Sequence, residues 1–255
     1  MVGAIGLQPG DAVVVTGAAQ GIGRAIALDL AHHRIRLVLW DINERGCAST
    51  ASACTDAGAQ AIMMRVDMSD NNSVLAAAQT ALKTFGSIFG LVSNAGIYPR
   101  ATILDSTPDL WRMVLGVNLL GTVFAAKALT PQMIENKRGV IINVASGRAL
   151  QGTPRGAHYA ASKAGIVSFT KSLALEMAPF GIRANCLIPG LTETAQPLED
   201  STLEELHALA KKQIPLGRIG QPEDHTGAVV FLLSDASAFM TGQSIAVNGG
   251  AIMVP

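Results

Sequence analysis

Residues 11–34 read D-A-V-V-V-T-G-A-A-Q-G-I-G-R-A-I-A-L-D-L-A-H-H-R, and a strand, a turn and a helix follow from them in that order. Asp11 to Thr16 is a short β-branched run without polar alternation, the pattern of a strand buried on both faces of a parallel sheet. Glycines at 17, 21 and 23 then break the chain, and Ile22, Ile26 and Leu30 recur at helical spacing. A glycine-rich turn at a helix N-terminus offers free backbone N–H groups and the positive end of the helix dipole, and both favour a diphosphate. The spacing G-x-x-x-G-x-G differs from the dehydrogenase fingerprint G-x-G-x-x-G. A purely structural turn is the competing reading, and the strand–turn–helix order weighs against it.

Working outward, Arg36 to Trp40 (R-L-V-L-W) is the next apolar run, and it ends in Asp41. Asp41 follows Gly23 at close to the ~20-residue spacing expected of an acid that binds an adenosine ribose. A carboxylate there accepts hydrogen bonds from the ribose hydroxyls and repels a 2′-phosphate. Neither Gln20 nor Ile42 supplies a cation, so the placement favours NAD over NADP. Asp41 also reads as an N-cap for the helix that follows. Ala61 to Val66 predicts a third strand, with Asp67 at its end, where an adenine amino group could meet an acceptor. Asp70 reads as the cap of the next helix. Gly90 to Ser93 leads into Asn94-Ala95-Gly96, which is either a common turn or the polar border of a ligand crevice.

Pro108 to Asn136 predicts one long helix, with Pro108 in its first turn. Asn118 stands inside its apolar segment, either as a satisfied core amide or as a group that orients a water. Gly139 to Ala145 is a buried strand with Ser146 at its tip. After a loop, Tyr159 and Lys163 stand four apart, on one face of a helix that runs to about Ala178 before Pro179 and Gly181 end it. An ammonium beside a phenol stabilises the phenolate, so the spacing predicts a Tyr159 pKa drawn down from roughly 10 towards working pH, as a general acid/base requires. Ile182 to Ile188 is a further strand, closed by Pro189-Gly190. Residues 191–213 form a more polar, partly helical insert, the form of a substrate lid. A helix opening at Gln221 and a strand in Q-S-I-A-V-N complete the alternation. The fold expected over 1–255 is a single-domain, doubly wound α/β structure of the Rossmann type, a parallel sheet flanked by helices.

The 255 residues carry no net charge, and no basic run exceeds Lys211-Lys212, so a nucleic-acid partner is not expected. Hydrophobic residues make up 49% and charged residues 15%, with a mean hydropathy of +0.35, a balance that points to apolar surface buried between subunits. Cys47, Cys54 and Cys186 are scattered, which suits reduced cytoplasmic thiols and gives no zinc spacing; no metal site is expected. The N-terminus shows no basic region followed by an apolar core, so neither a leader nor a membrane span is expected. Arg148, Arg155 and His158 suit an anionic or polyhydroxyl substrate or a solvated loop, and Ser146 lies in N-V-A-S-G, which is not a hydrolase elbow.

These residues resemble the classical branch of the short-chain dehydrogenase/reductase family over nearly the whole chain: T-G-x-x-x-G-x-G at 16–23, Asp41, Asp67, N-A-G at 94–96, Asn118, Ser146, Y-x-x-x-K at 159–163, and P-G at 189–190. The family often has two asparagines before A-G, and here Ser93 replaces the first. The resemblance implies a catalytic tetrad of Asn118, Ser146, Tyr159 and Lys163. Tyr159 would exchange the hydroxyl proton while Ser146 bonds the substrate oxygen. Lys163 would hold the nicotinamide ribose, and Asn118 a water that relays protons. It implies NAD contacts from Gly17, Gln20, Gly21, Ile22 and Gly23 in the turn, and from Asp41, Asp67 and Met68 at the next strand ends. Asn94, Ala95 and Gly96, Tyr159 and Lys163, and Pro189, Gly190 and Thr192 would complete that set. The implied activity is hydride transfer between NAD(H) and a small alcohol or ketone, in a homotetramer. An NADPH-dependent 3-oxoacyl thioester reductase and a non-catalytic NAD(H) sensor are the rivals.

Overall fold

The computed structural model describes residues 10–198 and 200–253, so the reading of the first nine residues lies outside the described residues. Seven strands form one parallel sheet: β1 (Ala12–Thr16), β2 (Arg36–Asp41), β3 (Ala61–Arg65), β4 (Gly90–Ser93), β5 (Gly139–Val144), β6 (Ile182–Pro189) and β7 (Ser244–Val247). Their order is β3-β2-β1-β4-β5-β6-β7. The chain winds outward from β1 through β2 to β3, then restarts at β4 on β1's other side. The crevice beyond the strand ends at that reversal is where such sheets bind ligands.

The β1 run shows why the sheet is doubly covered. Val13 and Val15 face one apolar cluster and Ala12 and Val14 the other, and all four are buried. Successive side chains on a strand point to opposite faces. A strand with both faces apolar therefore needs helices above and below. On one side it meets Ile26 and Leu30 of α1 (Gly21–His32). On the other it meets Val74, Ala77 and Ala81 of α3 (Asn71–Phe85). Each fully buried Val is worth about 1.5–3 kcal/mol.

Between them, α2 (Glu44–Asp56) is capped by Asn43, whose side chain accepts from Gly46 N; Asp41 is instead the last residue of β2. Asp70 caps α3 as expected, accepting from Asn72 N. The long helix begins as α4 (Pro108–Leu115), capped by Thr107, and ends as α5 (Gly121–Glu135). Gly116–Leu120 between them is a π-helical turn, which sequence periodicity did not reveal. The 28-residue run Pro108–Glu135 is long and apolar enough to cross a membrane by length and composition, contrary to the sequence expectation. Half of its most apolar window is buried, with Ala125, Leu129 and Met133 in the core, which is the burial of a core helix.

Three elements bound the far end of the crevice. The loop after β5 carries a short helix, α6 (Arg148–Gln151), and leads into α7 (Ala157–Met177). The segment after β6 holds α8 (Ala195–Leu198) and α9 (Leu203–Gln213), the latter with a Thr202–Glu205 capping box. Leu206, Ala210, Ile214 and Ile219 give α9 a small core of its own. Finally α10 (Thr226–Leu233) returns to the first face of the sheet.

Candidate active site

A cavity of about 830 Å³ opens along the C-terminal edge of the strands, within the usual range for a small-molecule site. Gly17, Gln20, Gly21, Ile22, Asp41, Asp67 and Met68 line one end. A Cβ at Gly17 would stand 2.8 Å from Ala95 Cα at a φ of +65°, and a Cβ at Gly23 would run into the Gly17 carbonyl. Neither position accepts a side chain. Gly23 thus packs inside the turn and does not line the cavity, whereas Gly17 and Gly21 face it.

Backbone donors orient Asp41: its Oδ2 accepts from Ala19 N at 2.9 Å and its Oδ1 from Asn43 N at 2.8 Å. The carboxylate thereby ties the glycine turn to the end of β2 while keeping lone pairs for a ligand. Ile42 and Asn43 beside it are neutral. Asp67 accepts from Ser69 N and Ser69 Oγ at 2.9 and 2.6 Å. Asn94 stitches the adjoining strand ends, its Nδ2 donating to Thr16 O and Gly17 O at 3.1 and 3.2 Å. A cradle of glycines beside two held carboxylates fits a dinucleotide.

In the middle of the cavity stand Val144, Ser146, Tyr159 and Lys163, with Gly96 opposite. Lys163 Nζ donates to Val144 O at 2.8 Å and lies 5.7 Å from the Tyr159 ring centroid. The Ser146 hydroxyl lies close enough to the phenol to lower its pKa. Ser146 at the end of β5 and the Tyr159–Lys163 pair on one face of α7 therefore converge.

The expected fall in the Tyr159 pKa does not occur in this structure. Burial pushes the phenol up to about 12, against the lowering by Ser146. Burial also brings Lys163 down to about 8, with Cys186 acting in the opposite direction. Loss of hydration opposes charge on both groups, and at the phenol it outweighs the lowering by Ser146, Arg100 and Arg148.

Asn118 lies outside the cavity wall, fully buried in the π-helical turn. Its Oδ1 accepts from Ile97 N at 2.8 Å, and its Nδ2 donates to Ile97 O and Ser162 Oγ, both at 3.0 Å. Of the two sequence readings of Asn118, these bonds match the satisfied amide, which clamps the loop after β4 to α7. His158, read from sequence as meeting a substrate or solvating a loop, is also buried: its Nδ1 accepts from Tyr159 N at 2.7 Å and its ring meets Trp111 edge-on. Pro189, Gly190 and Thr192 line the cavity after β6, and Thr192 Oγ1 shares a 2.9 Å hydrogen bond with buried His225 Nε2. The Thr194 methyl lies over Gly21, so the 191–213 segment roofs the glycine turn.

Sequence reasoning missed a stack. Tyr98 and Tyr159, the chain's two tyrosines, lie ring on ring with centroids 4.0 Å apart and planes 11° apart. Arg100 covers Tyr98's ring at 3.6 Å from its centroid. A tyrosine and an arginine in the substrate-facing stretch 97–100 were the available signal. Cys47, Cys54 and Cys186 are free and buried, and burial raises all three thiol pKa values. Among the described residues no group of His, Cys, Asp and Glu could hold a metal ion.

A parallel sheet with this strand order, carrying a Ser–Tyr–Lys convergence beside a glycine cradle, defines a class of nucleotide-dependent oxidoreductases. Comparison with known proteins agrees. A family model described as enoyl-(acyl carrier protein) reductase matches residues 17–251. The chain is 38% identical over 243 residues to the L-rhamnose 1-dehydrogenase (NAD(P)(+)) of Azotobacter vinelandii, covering 93% of this chain and 95% of that one. It is 36% identical over 248 residues to the 3-oxoacyl-[acyl-carrier-protein] reductase of Chlamydia trachomatis, covering 96% and 98%. A crystal structure from Sinorhizobium meliloti 1021, assigned to the short-chain alcohol dehydrogenases, superposes with a TM-score of 0.91 at 32% identity, covering 97% and 98%. The chain belongs to the short-chain dehydrogenase/reductase family.

Proposed function

We propose that the chain transfers a hydride between NAD(H) and a secondary alcohol or ketone, a polyol, sugar or small hydroxy compound. The observation that carries this reading is the meeting of Ser146, Tyr159 and Lys163 in one cavity with the glycine turn and Asp41. NAD, when bound, supplies the acceptor for the hydride that leaves the alcohol carbon. Gly17, Gly21 and the residues around them would hold its diphosphate, Asp41 its adenosine ribose, and Asp67 with Met68 its adenine. Asn94 to Gly96 and Pro189 to Thr192 would border its nicotinamide half.

Ser146 holds the substrate oxygen by a hydrogen bond. Tyr159 accepts the hydroxyl proton in oxidation and returns it in reduction. Lys163 sets a positive charge beside the phenol, offsetting part of the burial that raises its pKa. Asn118 keeps Ile97 and α7 in place around the pair. Oxidation should therefore speed up as pH rises and the phenolate fraction grows, while reduction slows.

Asp41 is the reason to favour NAD: a carboxylate flanked by Ile42 and Asn43 repels a 2′-phosphate and offers it no cation. Residues 191–213 act as a lid over the bound pair. Exposed Met113, Leu120, Leu175 and Phe239 suit burial between subunits of a homotetramer, and the reduced thiols suit the cytoplasm.

A second reading, reduction of a 3-oxoacyl thioester, draws on the Chlamydia relative. Following NADH absorbance across secondary alcohols, polyols and sugars, with NAD+ and NADP+ in parallel, separates the two. We expect alcohol oxidation with NAD+ favoured by about ten-fold or more. Turnover restricted to 3-oxoacyl thioesters with NADPH would contradict the reading.

A further inference from the structure

The cavity has two electrostatic ends. Asp41 and Asp67 mark the nucleotide end, and the charged residues lining the other end are Arg100 and Arg148. The 191–197 segment brings Leu191, Thr192, Thr194, Ala195, Gln196 and Pro197 to the cavity wall, and all are neutral.

The two arginines are held differently. The Arg100 guanidinium is packed on Tyr98, and its Nε lies 3.0 Å from Asp200 Oδ2 without hydrogen-bond alignment. Arg155 lies 3.9 Å from the same carboxylate oxygen, so a single acid serves two cations. Arg148 has no acidic partner among the described residues. It opens α6, and its backbone N donates to Ser146 Oγ at 3.2 Å, which fixes its position relative to the hydroxyl that would hold the reacting oxygen. Arg100 and Arg148 both act on the Tyr159 phenol, lowering its pKa.

Arg148 is exposed at the cavity wall, where a ligand can reach it, and guanidinium forks bind carboxylates through paired hydrogen bonds. Extending the proposed dehydrogenase reading, on which this rests, we infer that the substrate is an anionic alcohol, a hydroxy acid whose carboxylate is anchored by Arg148 with Arg100 at its side. Because Arg148 lies two residues from Ser146, the carboxylate and the carbinol carbon are separated by only a few bonds.

The test takes a graded series of 2-, 3- and 4-hydroxy acids, each paired with its carboxamide, as substrates with NAD+. The wild type should favour the acid over the amide by about ten-fold or more in kcat/KM, chiefly through KM. Arg148→Gln should bring that ratio close to one, and Arg148→Lys should restore part of it. Calorimetric titration of the same acids into the enzyme–NADH complex reads binding without turnover. Equal use of acids and amides, or a ratio untouched by Arg148→Gln, overturns the inference and leaves the dehydrogenase reading standing. Acids that bind through Arg148 without being oxidised support the anion site and count against that reading. Absence of both binding and turnover defeats the inference.

Discussion

At the nucleotide end of the cavity, between the ends of β1, β2 and β3, the surface is largely backbone: glycines too crowded for side chains, and an Asp41 carboxylate held by two N–H donors. At the substrate end the surface is largely side chain, carried on the loops after β4, β5 and β6, with Tyr98, Arg100 and Arg148 prominent. The nucleotide end rests on β1, buried along its whole length, and on the buried centre of β2. The loops after β4 and β6 also carry Ile103, Leu104 and Leu216, exposed by 67%, 92% and 72% outside the cavity wall. A backbone-built site suits a cofactor common to many enzymes, because its shape depends on strand ends and glycines. A side-chain site on loops can change its specificity without disturbing the sheet.

The largest expected effect is at the nucleotide end. Gly23→Ala drives a methyl into the Gly17 carbonyl, so it should lose roughly 3 kcal/mol of stability and most NADH affinity. Chemical denaturation and NADH fluorescence titration measure both. A stable variant with normal affinity would break the contrast, since it would show that the turn tolerates side chains as the loops do.

Next comes the buried hydrogen bond between Thr192, on the cavity wall, and His225 behind it. Burial lowers the His225 pKa to about 4, whereas the unfolded chain protonates near 6.5. Below 6.5 the unfolded state gains a proton that the folded state refuses, so stability present above 6.5 is lost as pH falls towards 4. The fall should reach roughly 3 kcal/mol. Denaturation midpoints across that range should show the slope, and His225→Gln should flatten it.

A smaller effect sharpens the assignment of Asp41. Asp41→Asn keeps an acceptor for Ala19 N but removes the charge, so the kcat/KM preference for NAD+ over NADP+ should fall about ten-fold. An unchanged preference would place selectivity elsewhere.

The contrast between the ends also explains what could be read from sequence. Strand periodicity puts Asp41, Asp67 and Ser146 at strand ends, and helical spacing puts Tyr159 and Lys163 on one face; all of these line the cavity. The Tyr98–Tyr159 stack was not legible, because it joins the loop after β4 to the start of α7, and their approach depends on tertiary packing. The burial of His158 against Trp111, and the π-helical turn that turns Asn118 towards Ile97, were hidden for the same reason. The Tyr159 pKa was misjudged in direction because spacing reports a neighbouring charge but not the loss of water around it.

The central claim is that the Tyr159 oxygen carries the proton, and Tyr159→Phe tests it most directly, since the ring and its stack on Tyr98 remain while the hydroxyl is lost. Turnover of the best alcohol should fall by about 10³-fold or more, with NADH still bound at close to wild-type affinity. Near-native turnover in that variant would contradict the account.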